Sequence, residues 1–195
     1  MRIVAGARRG AKLTTPESKE IRPTSDRVRE SLFNVLDGGR FPSTYKNKLV
    51  IDAFAGTGAL GLEAISRGAS HVIFLEQAIT SLKILFQNIR KLNAQKITTV
   101  ITGNAIELAK HSTEAAGLVM LDPPYNSQIG APCIQNLKDK GWIDDNTLIV
   151  LEQTAKEAIT LPKWVETSDN RRYGGSRLIF MQTPREKQKN GDNIL

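Results

Sequence analysis

The 195-residue chain is poor in cysteine and histidine, and it contains no long apolar run. Its single cysteine, Cys133, excludes an internal disulfide and suits a reducing cytoplasm, where we expect the protein to lie. No apolar stretch approaches the length of a membrane span, and the first residues lack a signal-peptide core. His71 and His111 have no cysteine or carboxylate at ligand spacing, so no metal site is predicted.

Acidic side chains are in the minority. The 27 lysines and arginines exceed the 20 aspartates and glutamates, which gives a formal net charge of +7. This excess favours a polyanionic partner such as nucleic acid, although basic charge can also serve solubility alone. The first 15 residues carry four of these cations and no acid: Arg2, Arg8, Arg9 and Lys12. Two short strands predicted at 3–4 and 12–15 and joined through Gly6 to Gly10 indicate a β-hairpin, which we expect to contact phosphates.

Strand and helix patterns alternate along the rest of the chain, which is typical of a doubly wound, mostly parallel α/β sheet. Predicted strands cover 49–53, 71–76, 96–102, 117–122 and 147–152, and predicted helices lie near 58–67, 78–93, 104–112 and 128–139. In the second of these helices, one apolar face is predicted from Ile79, Leu82, Leu85, Phe86 and Ile89. A hairpin of 164–173 and 177–182 around Gly174 and Gly175 completes seven strands.

Three segments are expected. Residues 1–40 form an extension of hairpin and helix, in which Ser25 or Asp26 caps a helix with an apolar stripe at Val28, Leu32, Val35 and Leu36. Residues 41–183 form the α/β domain, and the polar residues 184–195 form a disordered tail.

A glycine-rich turn follows the first predicted strand of the α/β domain. Gly56, Gly58 and Gly61 form G-x-G-x-x-G between a strand and a helix, a context that favours a nucleotide-like ligand. Asp52 ends the strand, and Glu76 ends the next strand about 20 residues beyond the glycines, a spacing that places a carboxylate on ribose hydroxyls. Nicotinamide dinucleotides and S-adenosylmethionine both carry that ribose.

A second motif, Asp122-Pro-Pro-Tyr125, follows the fourth predicted strand. Two prolines remove two N–H donors, so the segment presents mainly acceptors, and Tyr125 adds a ring on which a base can stack. Acceptors beside a stacking surface suit the exocyclic amino group of a planar base. The alternative is a rigid turn without chemistry, which the upstream glycine loop disfavours.

Five segments together resemble the RsmD family, the 16S ribosomal RNA guanine-N2 methyltransferases that modify guanine 966. They are residues 1–6, 22–34, 52–64, 66–68 and 122–125, and the resemblance extends from residue 1 to about residue 182, including Tyr173 and Gly174. It implies a Rossmann-like class I methyltransferase fold. It also implies methyl transfer from S-adenosyl-L-methionine to 16S ribosomal RNA in a small subunit or an assembly intermediate, by an enzyme expected to be monomeric.

The resemblance also implies roles for individual residues. Those expected to bind the cofactor are Thr24, Arg27, Asp52, Phe54, Gly56, Gly58, Glu76, Gln77, Asn104, Ala105 and Asp122. The catalytic segment would be Asp122, Pro123, Pro124 and Tyr125. Arg22 and Arg29 would join the four cations of the hairpin at the RNA. Asn104, expected to meet the adenine amino group through its side-chain oxygen, stands where many methyltransferases have aspartate, and Ser25 stands where the family usually has threonine.

Three alternatives remain open. The same chemistry could serve another acceptor, namely DNA adenine, DNA cytosine or a protein glutamine. A dehydrogenase could use the same glycine loop for a nicotinamide dinucleotide, although no hydride-transfer site is evident. A non-catalytic RNA-binding module on this fold is disfavoured, because Asp52, Glu76 and the Asp-Pro-Pro-Tyr motif are all present.

Overall fold

The computed structural model describes residues 1–16, 26–41, 44–111, 113–158 and 160–184. In chain order the helices are α1 (Asp26–Asp37), α2 (Ala59–Ser66), α3 (Ile79–Lys91) and α4 (Gly130–Asp139), with a 3₁₀ turn at Gln95–Ile97. The strands are β1 (Leu49–Ala53), β2 (His71–Glu76), β3 (Thr98–Thr102), β4 (Leu118–Leu121), β5 (Leu148–Thr154), β6 (Glu166–Tyr173) and β7 (Ser176–Gln182). None of the helices in these ranges is long and apolar enough to cross a membrane.

The seven strands form one sheet in the order β3-β2-β1-β4-β5-β7-β6. The first five are parallel, while β7 runs antiparallel to both β5 and β6. The predicted doubly wound, mostly parallel seven-stranded sheet is therefore confirmed. The direction of winding reverses between β1 and β4, and open α/β sheets bind their ligands at the carboxyl ends of strands at such a point.

Both faces of the central strands are buried, which explains their nearly continuous apolar sequences. Two successive residues of β1, Val50 and Ile51, belong to two different hydrophobic clusters on opposite faces of the sheet. The first cluster includes residues of α1, α2 and α3, and the second includes residues of α4 together with Trp142. Helices on both faces hold the carboxyl ends of β1, β2 and β4 in a fixed arrangement.

Helix α3 buries a narrower face than the predicted one. Leu82, Leu85 and Ile89 are buried, whereas Ile79 is 71% exposed and Phe86 is 43% exposed. At 100° per residue, Ile79 and Phe86 lie about 80° away from the centre of the buried stripe, so they fall at its edge. The prediction was wrong for these two side chains.

The helix predicted at 104–112 does not form over residues 104–111, which are turns and irregular chain. Other segments of the chain take up backbone groups that a helical ladder would need. The N–H of Leu108 donates to Oδ1 of Asn136, and the N–H of His111 donates to the carbonyl of Lys140. Residue 112 lies outside the described residues.

Residues 1–16 pair as the predicted antiparallel hairpin, but through a single bridge, Arg2 with Lys12, instead of two strands. The hairpin is anchored on α2 by the buried carboxylate of Glu63, which accepts hydrogen bonds from the N–H groups of Val4 and Ala5 at 2.8 and 2.9 Å. Gly6, at φ +82°, lies so close to Ser66 that a Cβ would fall 1.9 Å from its carbonyl oxygen. The two motifs at 1–6 and 66–68 therefore contact each other and hold the hairpin against α2.

Helix α1 begins at Asp26, and its predicted stripe of Val28, Leu32, Val35 and Leu36 is buried. The predicted cap at Ser25 lies outside the described residues. So does the predicted disordered tail beyond residue 184.

Candidate active site

A cavity of about 390 Å³ opens at the carboxyl ends of β1, β2 and β4. This volume lies within the range of small-molecule sites. Its wall is formed by the loop after β1, the residues that follow β2, the Asp-Pro-Pro-Tyr segment after β4, and two residues after β3, Gly103 and Ala105. The topological switch point therefore carries a formed pocket.

The three glycines of the loop meet three different requirements. Gly56, at φ +55°, lines the cavity, and a Cβ there would meet nothing within 4 Å, so the backbone is open to a ligand. A Cβ on Gly58, at φ +81°, would lie 2.4 Å from Cδ1 of Leu85. A Cβ on Gly61 would lie 2.4 Å from Cε1 of Phe74, so this glycine allows α2 to pack closely on β2.

Three of the five described non-glycine residues with positive φ lie at or beside the site. Phe54 lines the cavity with φ +62°, and two further non-glycine residues with positive φ, Asn126 and Gln128, follow the Asp-Pro-Pro-Tyr segment. Such conformations cost free energy and are found most often at functional sites.

Three carboxylates surround the cavity: Asp52, Glu76 and Asp122. Asp52 is 1% exposed, and its Oδ2 accepts a hydrogen bond of 2.8 Å from the N–H of Gly61. Its Oδ1 is buried and has no hydrogen-bond partner among the described residues. A buried acceptor of this kind is costly unless a ligand donates to it.

Burial raises the pKa of Asp52 well above its ordinary value. The hydrogen bond from Gly61 opposes this rise, whereas the nearby charges of Asp122 and Glu76 add to it. A cation beside Oδ1 would relieve both the desolvation and the repulsion. The site is thus suited to a positively charged ligand.

The carboxylate of Glu76 holds the start of the glycine loop in place through hydrogen bonds. Its Oε2 accepts from the N–H of Gly56 at 2.7 Å, and its Oε1 accepts from the N–H groups of Gln77 and Ala78. In a dinucleotide site, amides at this helix N-terminus bind the anionic pyrophosphate. Here two of the loop amides, those of Gly56 and Gly61, already donate to carboxylates, and three acids would repel a pyrophosphate.

The Asp-Pro-Pro-Tyr segment separates two cavities. Pro123, Pro124 and Tyr125 line the first cavity and also a second one of about 250 Å³, which extends toward β5 and the start of α4. Tyr125 is 40% exposed, and its hydroxyl lies 3.4 Å from Oγ of Ser176. Its ring is therefore accessible for stacking. A ligand in either cavity would contact this segment.

Most of the residues expected to bind the cofactor line the first cavity. They are Asp52, Phe54, Gly56, Glu76, Gln77, Ala105 and Asp122. Gly58 packs behind the loop, and Arg27 is exposed on α1 without lining the cavity. The side chain of Asn104 forms a local turn, in which Oδ1 accepts from the N–H of Ile106 at 3.2 Å, so its adenine contact stays a prediction. Thr24 lies outside the described residues.

Sequence reasoning missed several residues of the cavity wall, among them Leu60, Ala78, Ser81 and Gly103. Ala78 and Ser81 lie two and five residues after Glu76, Gly103 directly precedes Asn104, and Leu60 lies in the first turn of α2. Proximity to the predicted positions was the one signal for them, since no motif singles out these residues.

The basic residues expected at the RNA differ in exposure. Arg2, Arg9 and Lys12 are exposed, and Arg8 is half-buried with its Nε donating to the carbonyl of Leu92 at 3.0 Å. Arg22 lies outside the described residues.

The prediction that Arg29 contacts RNA is wrong. Its side chain is fully buried, with Nη2 2.8 Å from Asp26 Oδ1 and Nε 3.4 Å from Glu63 Oε2. Since its charge is neutralised inside the protein, this guanidinium is not available to a phosphate.

Known proteins with similar sequences identify the family. A family model described as conserved hypothetical protein 95 matches residues 1–182. The chain belongs to this family, the RsmD family. Ribosomal RNA small subunit methyltransferase D of Escherichia coli K12 is 34% identical over 194 residues, which cover 98% of this chain and 93% of that protein.

Two solved structures extend the comparison of the RsmD-family fold. The putative methyltransferase yhhF of Escherichia coli has a TM-score of 0.79 and 31% identity, covering 94% of this chain and 97% of that one. A putative methylase of Haemophilus influenzae has a TM-score of 0.73 and 30% identity, covering 94% and 98%. The class I methyltransferase fold is thereby confirmed. Family, fold and the acid-lined cavity together indicate S-adenosyl-L-methionine as the cofactor.

Within the described ranges, no group of three or more His, Cys, Asp or Glu side chains could hold a metal ion.

Proposed function

We propose that this chain is a cytoplasmic, monomeric methyltransferase that uses S-adenosyl-L-methionine to methylate the exocyclic N2 of a guanine in 16S ribosomal RNA. The observation that carries the proposal is the Asp-Pro-Pro-Tyr segment, which forms a common wall between an acid-lined cavity and a second cavity. A methyl donor in one cavity and an acceptor base in the other would meet at this wall.

The acid-lined cavity fits the cofactor through its charge. S-adenosyl-L-methionine carries an ammonium and a sulfonium, and it supplies an electrophilic methyl group when bound. Asp52 would hold the ammonium through its unpartnered Oδ1, and Glu76 would accept hydrogen bonds from ribose hydroxyls. The open backbone at Gly56 gives the ligand a close approach.

Asp122 and the backbone carbonyl of Pro123 would act on the acceptor base. The lone pair of an exocyclic amino nitrogen is delocalised into the ring, which makes it a poor nucleophile. Acceptors that bind the amino hydrogens more strongly as the nitrogen becomes tetrahedral stabilise the transition state selectively. Tyr125 would hold the base by stacking on its exposed ring.

The RNA part of the proposal is supported by the hairpin. Arg2, Arg9 and Lys12 are exposed on a segment without acids, and the relative from Escherichia coli is named a ribosomal RNA methyltransferase. Exposed cations contact phosphates irrespective of base sequence, so they would supply affinity, and the acceptor cavity would supply selectivity.

Transfer of a labelled methyl group tests the proposal. Small subunits and naked 16S ribosomal RNA, both from a strain that lacks this gene, are incubated with labelled cofactor, and the RNA is digested to nucleosides. We expect N2-methylguanine with the wild-type protein and a strongly reduced yield with Asp122→Ala. N6-methyladenine, N4-methylcytosine or labelled protein in its place would contradict the guanine assignment.

A further inference from the structure

Five polar side chains that no part of the mechanism above uses line the second cavity: Ser127, Gln128, Gln153, Glu157 and Thr160. Two of them carry buried polar groups, since Gln153 is 6% exposed and the hydroxyl oxygen of Ser127 is buried. We propose that these two residues select guanine by reading its N1–H and O6, a role that rests on the proposed methylation of an amino group beside Asp122. Gln153 acts as the acceptor for N1–H, and Ser127 acts as the donor to O6.

The amide of Gln153 is held in one orientation. Its side chain is buried, at 6% exposure, and Nε2 donates to the carbonyls of Glu157 and Ala158 at 3.1 and 3.4 Å. Only the NH₂ end of an amide can donate to a carbonyl, so the nitrogen is assigned to this side and Oε1 is the group left for a ligand. A fixed acceptor on the cavity wall is thereby provided.

The hydroxyl of Ser127 is not held by the protein. Its Oγ is buried and has no hydrogen-bond partner within the part of the chain that the structure describes, although the residue lines the cavity. No hydrogen bond is lost when this hydroxyl rotates about χ1 toward a ligand. An unpartnered buried hydroxyl is unfavourable for stability, which points to a purpose in binding.

The pattern of these groups matches one base. The Watson–Crick edge of guanine presents two donors, N2–H and N1–H, and then one acceptor, O6. Asp122 accepts from the first, Gln153 accepts from the second, and Ser127 donates to the third. Adenine presents an acceptor at N1, so Oε1 of Gln153 would face a like partner, and a buried mismatch of this kind is costly. The hydroxyl of Ser127 can also accept, so it adds affinity for O6 while Gln153 excludes adenine.

The test compares guanine with 2-aminopurine at the target position of an otherwise identical 16S RNA fragment. This analogue keeps the amino group at C2 but lacks both N1–H and O6. The variants are Gln153→Met and Ser127→Ala, and Thr160→Val serves as the matched control because it removes a hydroxyl from the same cavity. The measured quantity is the ratio of kcat/KM for the two RNAs.

We expect wild-type protein and Thr160→Val to prefer guanine strongly, and each of the other two variants to lower this preference about tenfold, the loss of roughly one hydrogen bond. Ser127→Ala loses only an unpartnered hydroxyl, so it should fold, and its unfolding temperature should be no lower than that of wild type. If Gln153→Met does not fold, Ser127→Ala decides the question by itself.

A folded variant of either residue with undiminished preference for guanine overturns this inference while leaving the methyltransferase proposal intact. Wild-type protein that transfers no methyl group to the guanine RNA overturns both.

Discussion

Asn88 binds Thr14 through two hydrogen bonds, one in each direction. The N–H of Thr14 donates to Oδ1 of Asn88 at 2.7 Å, and Nδ2 of Asn88 donates to the carbonyl of Thr14 at 3.1 Å. The same Nδ2 also donates to the carbonyl of Thr57, inside the glycine loop, at 3.0 Å. One buried amide on α3 therefore connects the basic hairpin to the loop that borders the cofactor cavity.

Asn88→Ala should destabilise the protein and weaken binding of both ligands. Removal of a buried amide leaves backbone groups of Thr14 and Thr57 unsatisfied, a cost of about 1–3 kcal/mol in the free energy of unfolding. S-adenosylhomocysteine and RNA should each bind less tightly. Denaturant unfolding and calorimetry measure these effects, with Gln87→Ala, an exposed change on the same helix, as the control. Unchanged affinity for both ligands would show that the connection is structural alone.

The free energy of unfolding should depend on pH through Asp52. Because burial raises its pKa, the folded state keeps a proton that the unfolded chain loses near its ordinary pKa of 3.8. The resulting stabilisation is complete below that pH and is lost as the pH rises through the raised value. Asp52→Asn, which is neutral at every pH, should remove this part of the pH dependence.

Denaturant unfolding of the free protein from about pH 4 to about pH 8 measures this slope. Asp145→Asn is the control, since Asp145 is exposed and hydrogen bonding to Lys138 lowers its pKa, so its effect falls at acidic pH. Parallel curves for wild type and Asp52→Asn would exclude a raised pKa at Asp52.

Cofactor binding should release a proton from the same carboxyl. A cationic ammonium at Oδ1 favours the carboxylate, so the affinity for S-adenosylhomocysteine should rise with pH until the raised pKa of the free protein is passed. Calorimetry in two buffers with different heats of ionisation measures the number of protons released. Asp52→Asn should bind more weakly and release fewer protons. Equal release by both proteins would assign the proton to another group.

The sequence allowed the strands and the site to be predicted because their signals are local. Leu49, Val50 and Ile51 form an apolar run, and Asp52 and the glycines follow it directly. The predictions that failed for residues 104–111 and for Arg29 concern residues whose contacts lie far away in the sequence. Residues 104–111 carry a helical pattern, yet the backbone N–H groups of Leu108 and His111 donate to Asn136 and Lys140.

Arg29 illustrates the same limit. It is spaced at i, i+3 and i+7 with Leu32 and Leu36, in the buried stripe of α1, but its charge made an exposed position the simpler expectation. Its partner Glu63 lies 34 positions further along the chain, and no local pattern connects the two. Buried ion pairs of this kind are set by tertiary packing.

Reversal of charge on the hairpin should weaken RNA binding selectively. Arg9→Glu with Lys12→Glu changes two exposed cations, whereas Arg8 is better left unchanged because it binds the carbonyl of Leu92. Lost phosphate contacts lower the affinity and make its dependence on salt shallower. Filter binding over a salt series measures both, with affinity for S-adenosylhomocysteine expected to remain at the wild-type value. As a control, Lys163→Glu alters an exposed cation before β6. RNA affinity and salt slope equal to wild type would place the RNA elsewhere.

Asp122 should affect the rate of methyl transfer far more than the binding of the cofactor. It follows β4 directly, its N–H donates to the carbonyl of Ala53 at 3.3 Å, and its segment separates the two cavities. If Asp122 accepts a hydrogen bond as the amino nitrogen rehybridises, Asp122→Ala should lower the transfer rate by about 100- to 1000-fold, as loss of one preorganised transition-state hydrogen bond does elsewhere.

Asp122→Asn should be milder, because its amide oxygen is still an acceptor although the charge is gone. Single-turnover transfer with both substrates saturating separates rate from binding, and calorimetry with S-adenosylhomocysteine verifies that the cavity is intact. A wild-type single-turnover rate in Asp122→Ala would assign the catalytic acceptor to the carbonyl of Pro123. That carbonyl belongs to the backbone and survives every side-chain substitution, so the two variants of Asp122 together distinguish a side-chain acceptor from a backbone one.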